Sequence, residues 1–306
     1  MQYDPDDLVA GVHGSFKIYS PFVDTSCIKN VEKVDDRPNV LKITHSGALD
    51  YFENDEVYLL RHYVYGGQVF YAVEGSTNIT YNNISIYGAC GMGYVFAYSA
   101  SHYQIINSYI GLRPGSEDKY RISTTADGIH ISNSAGYFRV DNCDLSFCGD
   151  DIINVHDNMF YIENIDDTRT VLTGTVPNKI VESDYTLKFM DLDFNSIDYE
   201  AKVVSIERNG YDATITLEEA LPDNITTDMV AYCIERNSAN YVLTNNYVHE
   251  TKGRGFLLNC DNGLCDGNTF YRTCGQALQI RTDIPSDKVI EGTGVENIQV
   301  SNNKFI

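Results

Sequence analysis

The chain has 306 residues, 43% of them hydrophobic, which is enough for one long solenoid or two to three ordinary domains and too apolar for a disordered segment. Its 43 acidic and 22 basic side chains leave a formal charge of −21, which argues against nucleic acid or an anionic membrane surface as partner and suits a neutral one such as a sugar. No apolar run approaches the length of a membrane span. The opening MQYDPDDLV lacks the basic and apolar regions of a signal peptide, and the chain stops at SNNKFI, partway through a recurring motif; both features suggest a segment of a longer parent.

Residues 1–65 contain the strand-like runs KIYSPF, NVLKITHSG and EVYLLRHYV without helical periodicity, and are read as a small antiparallel barrel or sandwich leading into a solenoid. A different pattern then begins: an alternating apolar strand, Asn, a spacer and a large apolar residue. It recurs as ITYNNISI (79–86), QIINSYIGL (104–112), FRVDNCDL (138–145), VLTNNYV (242–248), LCDGNTF (264–270) and IQVSNNKF (298–305). Inward Ile, Val, Leu and Phe would stack on their copies in neighbouring coils while Asn side chains ladder and satisfy the turns. The expected fold is all-β, a right-handed parallel β-helix with inserted small antiparallel β-barrel structure.

With Ile84, Ile110, Leu145, Val248, Phe270 and Phe305 as anchors, the successive gaps are 26, 35, 103, 22 and 35. The gaps of 35 carry the loops 113–125 and 282–294. The gap of 103 holds an insertion, 158–237, that loses the Asn motif and reads as antiparallel strands (TVLTGTV, TLKFMDL, EAKVVSIERNG, DATITLE, MVAYCIER) with a hairpin turn at Asn209-Gly210. The expected division is therefore a lead-in at 1–65, coils at 66–157, an inserted barrel at 158–237 and further coils at 238–306, with residues 156 and 238 close together. The eight cysteines show no zinc spacing, and the recurrence of Cys143 with Cys265 and of Cys148 with Cys274 reads as a stacked interior ladder rather than disulfides.

The residues that carry chemistry lie in TTADGIHISNSAGYFRVDNCDLSFCGDDIINVH (124–156). Asp127-Gly128 and Gly149-Asp150-Asp151 each enter a short apolar run, and Asp127 and Asp150 are 23 residues apart, about one coil. Registering the coils on their glycines places Asp127, Asp150, Arg254 and Gln276 in one column, with Asp151 and Arg281 nearby. A lone aspartate in such a fold usually caps a turn. Three together imply carboxyls whose pKa values are driven apart, as acid/base chemistry exploits. Glycoside hydrolysis fits: Asp150, crowded by two carboxylates, as the raised-pKa general acid, and Asp127 and Asp151 sharing the water. His130, His156, Arg254, Gln276 and Arg281 are candidate substrate contacts, with Tyr87 or Tyr120 as a stacking platform in a chain without tryptophan. No metal or cofactor is called for.

The order Asp-Gly, then Gly-Asp-Asp one coil later, is similar to the polygalacturonase-type β-helix hydrolases. Their pattern of Asn-Thr-Asp, Gly-Asp-Asp, Gly-His-Gly and Arg-Ile-Lys is replaced here at Thr125-Ala126-Asp127, Gly253-Arg254-Gly255 and Gln279-Ile280-Arg281. The missing histidine and lysine weaken the case for a uronic-acid substrate. The stretches ADGIHIS (126–132), DDIINVH (150–156) and GRGFLL (253–258) more closely resemble glycoside hydrolase family 110. That resemblance implies an inverting, metal-independent exo-hydrolase of terminal α-1,3-linked galactose, exported by its bacterium (secreted, periplasmic or at the cell surface), with Asp127, Asp150 and Asp151 at the family's acidic positions. A β-helix glycosidase for another sugar, and a catalytically silent glycan-binding or adhesion module, are the alternatives.

Overall fold

The computed structural model describes residues 2–3, 28–46, 57–58, 66–117, 120–177, 179–282 and 290–306. Nearly all of the regular structure is β; among the described residues the one helical element is a short 3₁₀ turn, Ile234–Arg236. Most of 1–65 lies outside the described residues, which there include a hairpin of Ile28–Val34 with Arg37–His45 and a two-residue pairing of Gln2–Tyr3 with Val57–Tyr58.

From Gln68 onward the chain builds three six-stranded parallel sheets, each taking its strands in chain order. The sheet that matters most here comprises β1 (Gln68–Ala72), β2 (Met92–Ala97), β3 (Ile129–Ser132), β4 (Ile153–His156), β5 (Phe256–Leu258) and β6 (Leu278–Ile280). Each circuit of the chain contributes one strand to each sheet in turn, an arrangement consistent with a parallel β-helix. Alternation sends Ile129, Ile131, Ile153, Val155, Phe256 and Leu258 into a shared core where all are fully buried. In the neighbouring sheet the inward rings form a column, Tyr103 on Phe138 (5.3 Å, 3°) and Phe138 on Tyr241 (5.3 Å, 16°), and Phe96 of β2 stacks on Tyr103 (3.8 Å, 3°).

The asparagines do two jobs. Asn83, Asn107, Asn142, Asn245 and Asn302 all sit at φ between 52° and 58°, the left-handed conformation that Asn tolerates better than most residues, and Gly267 fills the same column at φ 70°. One position on, buried Asn246 and Asn268 and half-buried Asn303 form a second ladder: Asn246 Nδ2 donates to Asn268 Oδ1 (3.0 Å) and Asn268 Nδ2 to Asn303 Oδ1 (2.9 Å), while each Oδ1 accepts a backbone N–H from the rung before.

Two details differ from the sequence reading. Ile110 pairs with Ile86 rather than Ile84, because the isoleucine that continues the column is the second of that motif; the remaining anchors pair as Ile110–Leu145–Val248–Phe270–Phe305. The cysteines are not a ladder: Cys265 is level with Leu243, whereas the Cys143 amide bonds Asn246 Oδ1. Cys143, Cys148, Cys233, Cys260 and Cys265 are buried free thiols that fill the interior singly.

Residues 158–233 contribute the antiparallel strands Asn158–Tyr161, Asn164–Ile165, Val171–Thr175, Thr186–Asp191, Ser196–Asn209, Asp212–Leu217 and Met229–Cys233 to an eight-stranded sheet. They enclose an apolar cluster of their own that includes Leu172, Leu187, Phe189, Val203 and Ile215. The eighth strand, Ile290–Glu291, comes from the loop after β6 and pairs with Asn158–Tyr161.

Where this segment leaves and rejoins the parallel sheets, buried Asp157 ties the chain together. Its carboxylate accepts from Asn133 N (2.7 Å), Ser238 N (2.8 Å), Ser238 Oγ (2.6 Å) and the Cys260 thiol (3.3 Å). Burial pushes its pKa up to about 6, against the opposing pull of the Ser238 and Cys260 hydrogen bonds. Asp157→Ala would orphan the buried Ser238 N–H and leave the Asn133 N–H only its longer bond to the His156 carbonyl (3.2 Å), and should lower stability by about 2–3 kcal/mol, with Asp157→Asn milder because one oxygen remains. Thermal melts of the two variants check this; an unchanged Tm in Asp157→Ala would contradict it.

Candidate active site

Strand register decides which polar side chains meet. Ile129 pairs with Ile153, Ile153 with Phe256 and Phe256 with Leu278. The residues two positions earlier are therefore level, so Asp127, Asp151, Arg254 and Gln276 form the column. The sequence reading placed Asp150 there; the correction is one residue, because the coil separation at this point is 24 residues rather than 23. Asp150 is level with Ala126, whose carbonyl accepts its N–H (3.3 Å). The flanking glycines permit this packing: a Cβ on Gly149 would lie 2.6 Å from the Thr125 carbonyl oxygen, and one on Gly253 would lie 2.2 Å from that of Asp150.

Each acid of the column caps the next rung. Asp127 Oδ1 accepts the Asp151 N–H and Asp151 Oδ1 accepts the Arg254 N–H, both at 3.1 Å. Turn-capping and convergence of the acids are thus the same arrangement. Arg254 then closes on Asp151 with a fork, Nε to Oδ1 at 2.8 Å and Nη2 to Oδ2 at 2.7 Å, leaving Nη1 to donate to Gln279 Oε1 at 3.2 Å. Oxygens of Asp127, Asp150 and Asp151 lie within 4.8 Å of one another; Asp127 and Asp151 are 5% and 1% exposed, whereas Asp150 is half-buried.

The remaining oxygen of Asp127, Oδ2, lies 2.7 Å from His130 Nδ1. His130 Nε2 in turn lies 3.4 Å from His156 Nε2, and His156 Nδ1 lies 3.4 Å from the Asp157 carbonyl oxygen. Burial, then the charge of Asp151, push the Asp127 pKa far above the ordinary carboxylate range, to about 8. Burial also lowers both histidine pKa values, against the pull of Glu291. The Asp127–His130 pair accordingly holds a proton well above pH 4.

Of the other expected contacts, Gln276 is level with Arg254 but its side chain is exposed, and its carbonyl accepts the Gly255 N–H (2.9 Å). Arg281 lies past the end of β6, lining a cleft of about 390 Å³ with Met190, Phe194 and Glu296. Tyr87 and Tyr120 are exposed, and Tyr87 carries the Arg113 guanidinium 5.9 Å above its ring. Two residues were not among the expected contacts. Gln279 faces outward at alternate spacing from Arg281 and could have been picked by period alone. Glu291 could not, because only the long-range pairing of Asn158 with Glu291 brings its charge to the histidines. The three aspartates are also an all-oxygen set of the kind hard divalent cations take, although Arg254 already neutralises Asp151.

No known family profile matches the chain. It is 27% identical over 252 residues to alpha-1,3-galactosidase A of Akkermansia muciniphila, an alignment covering 76% of this chain and 39% of that protein. It is 24% identical over 236 residues to alpha-1,3-galactosidase B of the same organism, covering 74% of this chain and 28% of that protein. The chain therefore spans well under half the length of these relatives.

The electrostatics predict opposite outcomes for two substitutions in the column. Asp127 has a folded pKa above its unfolded one, so its contribution to stability is lost as pH rises from about 4 through 8. Asp127→Asn keeps the cap to Asp151 without the charge, and should raise Tm more at pH 9 than at pH 5, by about 2–4 °C per kcal/mol. Arg254→Gln leaves Asp151 buried and unpaired and should destabilise by about 3–5 kcal/mol. Calorimetric melts at the two pH values measure both; a lower Tm for Asp127→Asn at pH 9 would contradict the assignment.

Proposed function

We propose that this chain carries the catalytic face of an exo-acting glycoside hydrolase that releases terminal α-linked galactose, preferentially α-1,3, with inversion, and that its parent is an exported bacterial protein of the type represented by glycoside hydrolase family 110. In this reading the parallel sheets are a right-handed β-helix, and segment 158–237 is a small barrel walling one side of the site. The observation that carries the proposal is the convergence of three carboxyls, one of them locked by Arg254, in a chain similar to two proteins named alpha-1,3-galactosidases.

Exposure supports the division of roles. Asp150 is the most open of the three, and so is the one that can meet the oxygen of a bulky leaving group as general acid. Asp127 and Asp151 are the buried pair, and in this reading they hold the water. Both oxygens of Asp151 are engaged by Arg254, which makes it a poor nucleophile but a fixed hydrogen-bond acceptor for water. Asp127, with its raised pKa, is the stronger base once ionised, and takes the water proton. His130, His156, Arg254, Gln276 and Arg281 line the approach for sugar hydroxyls. No organic cofactor enters the scheme.

One observation favours a second reading. Inverting glycosidases usually hold their carboxyls about 6.5–9.5 Å apart and retaining ones about 5–5.5 Å, and here oxygens of all three lie within 4.8 Å of one another. On that spacing alone, Asp127 or Asp151 would be a nucleophile in a retaining reaction.

A panel of nitrophenyl glycosides tests the activity: turnover of the α-galactoside supports the proposal, turnover of a different sugar redirects it, and no turnover leaves a glycan-binding module. Asp127→Asn, Asp150→Asn and Asp151→Asn should each lower kcat by about 10²–10⁴-fold while the fold is retained; three variants at wild-type rates would overturn the site. Proton NMR in the first minutes of hydrolysis should show β-galactose released first from an α-galactoside. Initial α-galactose would establish the retaining reading instead.

A further inference from the structure

The two histidines meet nitrogen to nitrogen, and the outer nitrogen of each already faces an oxygen. His156 Nδ1 faces the Asp157 backbone carbonyl, which can only accept, so Nδ1 carries the hydrogen and Nε2 presents a lone pair. At His130, Nδ1 faces Asp127 Oδ2, an oxygen that can accept its hydrogen in the same way and so leave Nε2 free to bind a cation. Both Nε2 lone pairs then point at one another across 3.4 Å, with the rings at 77°. Two lone pairs that close repel unless a positive group lies between them. Two imidazole nitrogens on one tetrahedral zinc ion, each about 2.0–2.1 Å from the metal, stand about 3.3–3.4 Å apart.

We propose that His130 and His156 form a two-histidine site for a transition-metal dication of borderline softness, Zn²⁺ above all, held through their facing Nε2 atoms. The surroundings are those of metal-bound histidines, whose second nitrogen characteristically donates to a carboxylate or a backbone carbonyl; here Asp127 and the Asp157 carbonyl occupy those two positions. The side chain of His130 is 17% exposed, which opens the pair to solvent. Glu291, placed by its strand opposite Asn158, adds a negative charge that acts on both rings and complements a dication. The nitrogen donors set the site apart from the all-oxygen aspartate trio and favour Zn²⁺, Ni²⁺ or Cu²⁺ over Mg²⁺ or Ca²⁺. An ion held there would engage His130 and, through it, Asp127, so Zn²⁺ should inhibit. That consequence rests on the proposed hydrolase reading; the binding does not.

The test is titration of the intact chain with ZnCl₂ by calorimetry, with thermal melts in Zn²⁺, Mg²⁺ and Ca²⁺ and no substrate present. Zn²⁺ should bind and raise Tm, Mg²⁺ and Ca²⁺ should not. His130→Gln and His156→Gln should each weaken Zn²⁺ by at least about 10–100-fold, and Asp127→Asn by about 10–100-fold through loss of the orienting carboxylate. Circular dichroism confirms that the variants fold, and Co²⁺ substitution in the wild type should give visible absorption that both glutamine variants lose. Absence of binding at millimolar Zn²⁺ would mean that the imidazoles simply share a hydrogen, and would overturn the proposal. Undiminished binding in both variants would place the ion elsewhere, such as at exposed Cys90 or the aspartates, and would equally overturn it. If α-galactosides are not turned over, only the inhibition experiment is lost and calorimetry still decides.

Discussion

In-register stacking is the constraint on which this structure depends. A parallel sheet places each residue about 4.8 Å from its counterpart in the next rung, so every column must be made of residues that tolerate close neighbours of their own kind. Apolar columns satisfy this by packing, and aromatic columns by stacking, as Tyr103, Phe138 and Tyr241 do. Asn columns satisfy it because an amide both donates and accepts, so Asn246, Asn268 and Asn303 chain without conflict. A column of acids cannot, and the column before β3 resolves the conflict by succession: Asp127, Asp151, then Arg254 and Gln276.

The resolution is incomplete on one side, and the chemistry of the site follows from that. Arg254 neutralises Asp151 from one rung with a bidentate fork. Asp127, on the other side of Asp151, has a histidine for partner and is left to hold a proton. The fold thereby produces two buried carboxyls of different character from identical residues one rung apart, with Asp150 outside the column and nearer solvent. Backbone capping fixes the positions of both buried acids, so the side chains need no additional packing to be held in place.

Much of this was legible in the sequence, because a solenoid writes its period directly into the chain. The motif ending at Ile110, Leu145, Val248, Phe270 and Phe305 identified one column correctly, since large apolar residues recur only where the interior needs them. The first motif contains two isoleucines, Ile84 and Ile86, and periodicity does not say which of them continues the stack. The site shows the same ambiguity: Asp150 and Asp151 are adjacent, and whether a coil is 23 or 24 residues long decides which faces Asp127. Burial raises the pKa of Asp127, enclosed by both Asp151 and the protein interior, a shift that the spacing of the acids did not assign to it. Glu291 and Asp157 were not legible, because their places are set by pairings more than 80 residues away in the chain.

The central claim is that Asp127, ionised, is the base that activates water over an Asp151 held by Arg254. The pH dependence of kcat/KM on an α-galactoside tests it most directly, since that profile reports the ionisations of the free enzyme. The proposed roles need one proton among the carboxyls, on Asp150 while Asp127 is ionised, so the profile should be a bell whose basic limb lies far above the value near 4 of an ordinary aspartate, towards pH 8. A rate that keeps rising above pH 9, or one already lost by pH 6, would contradict it.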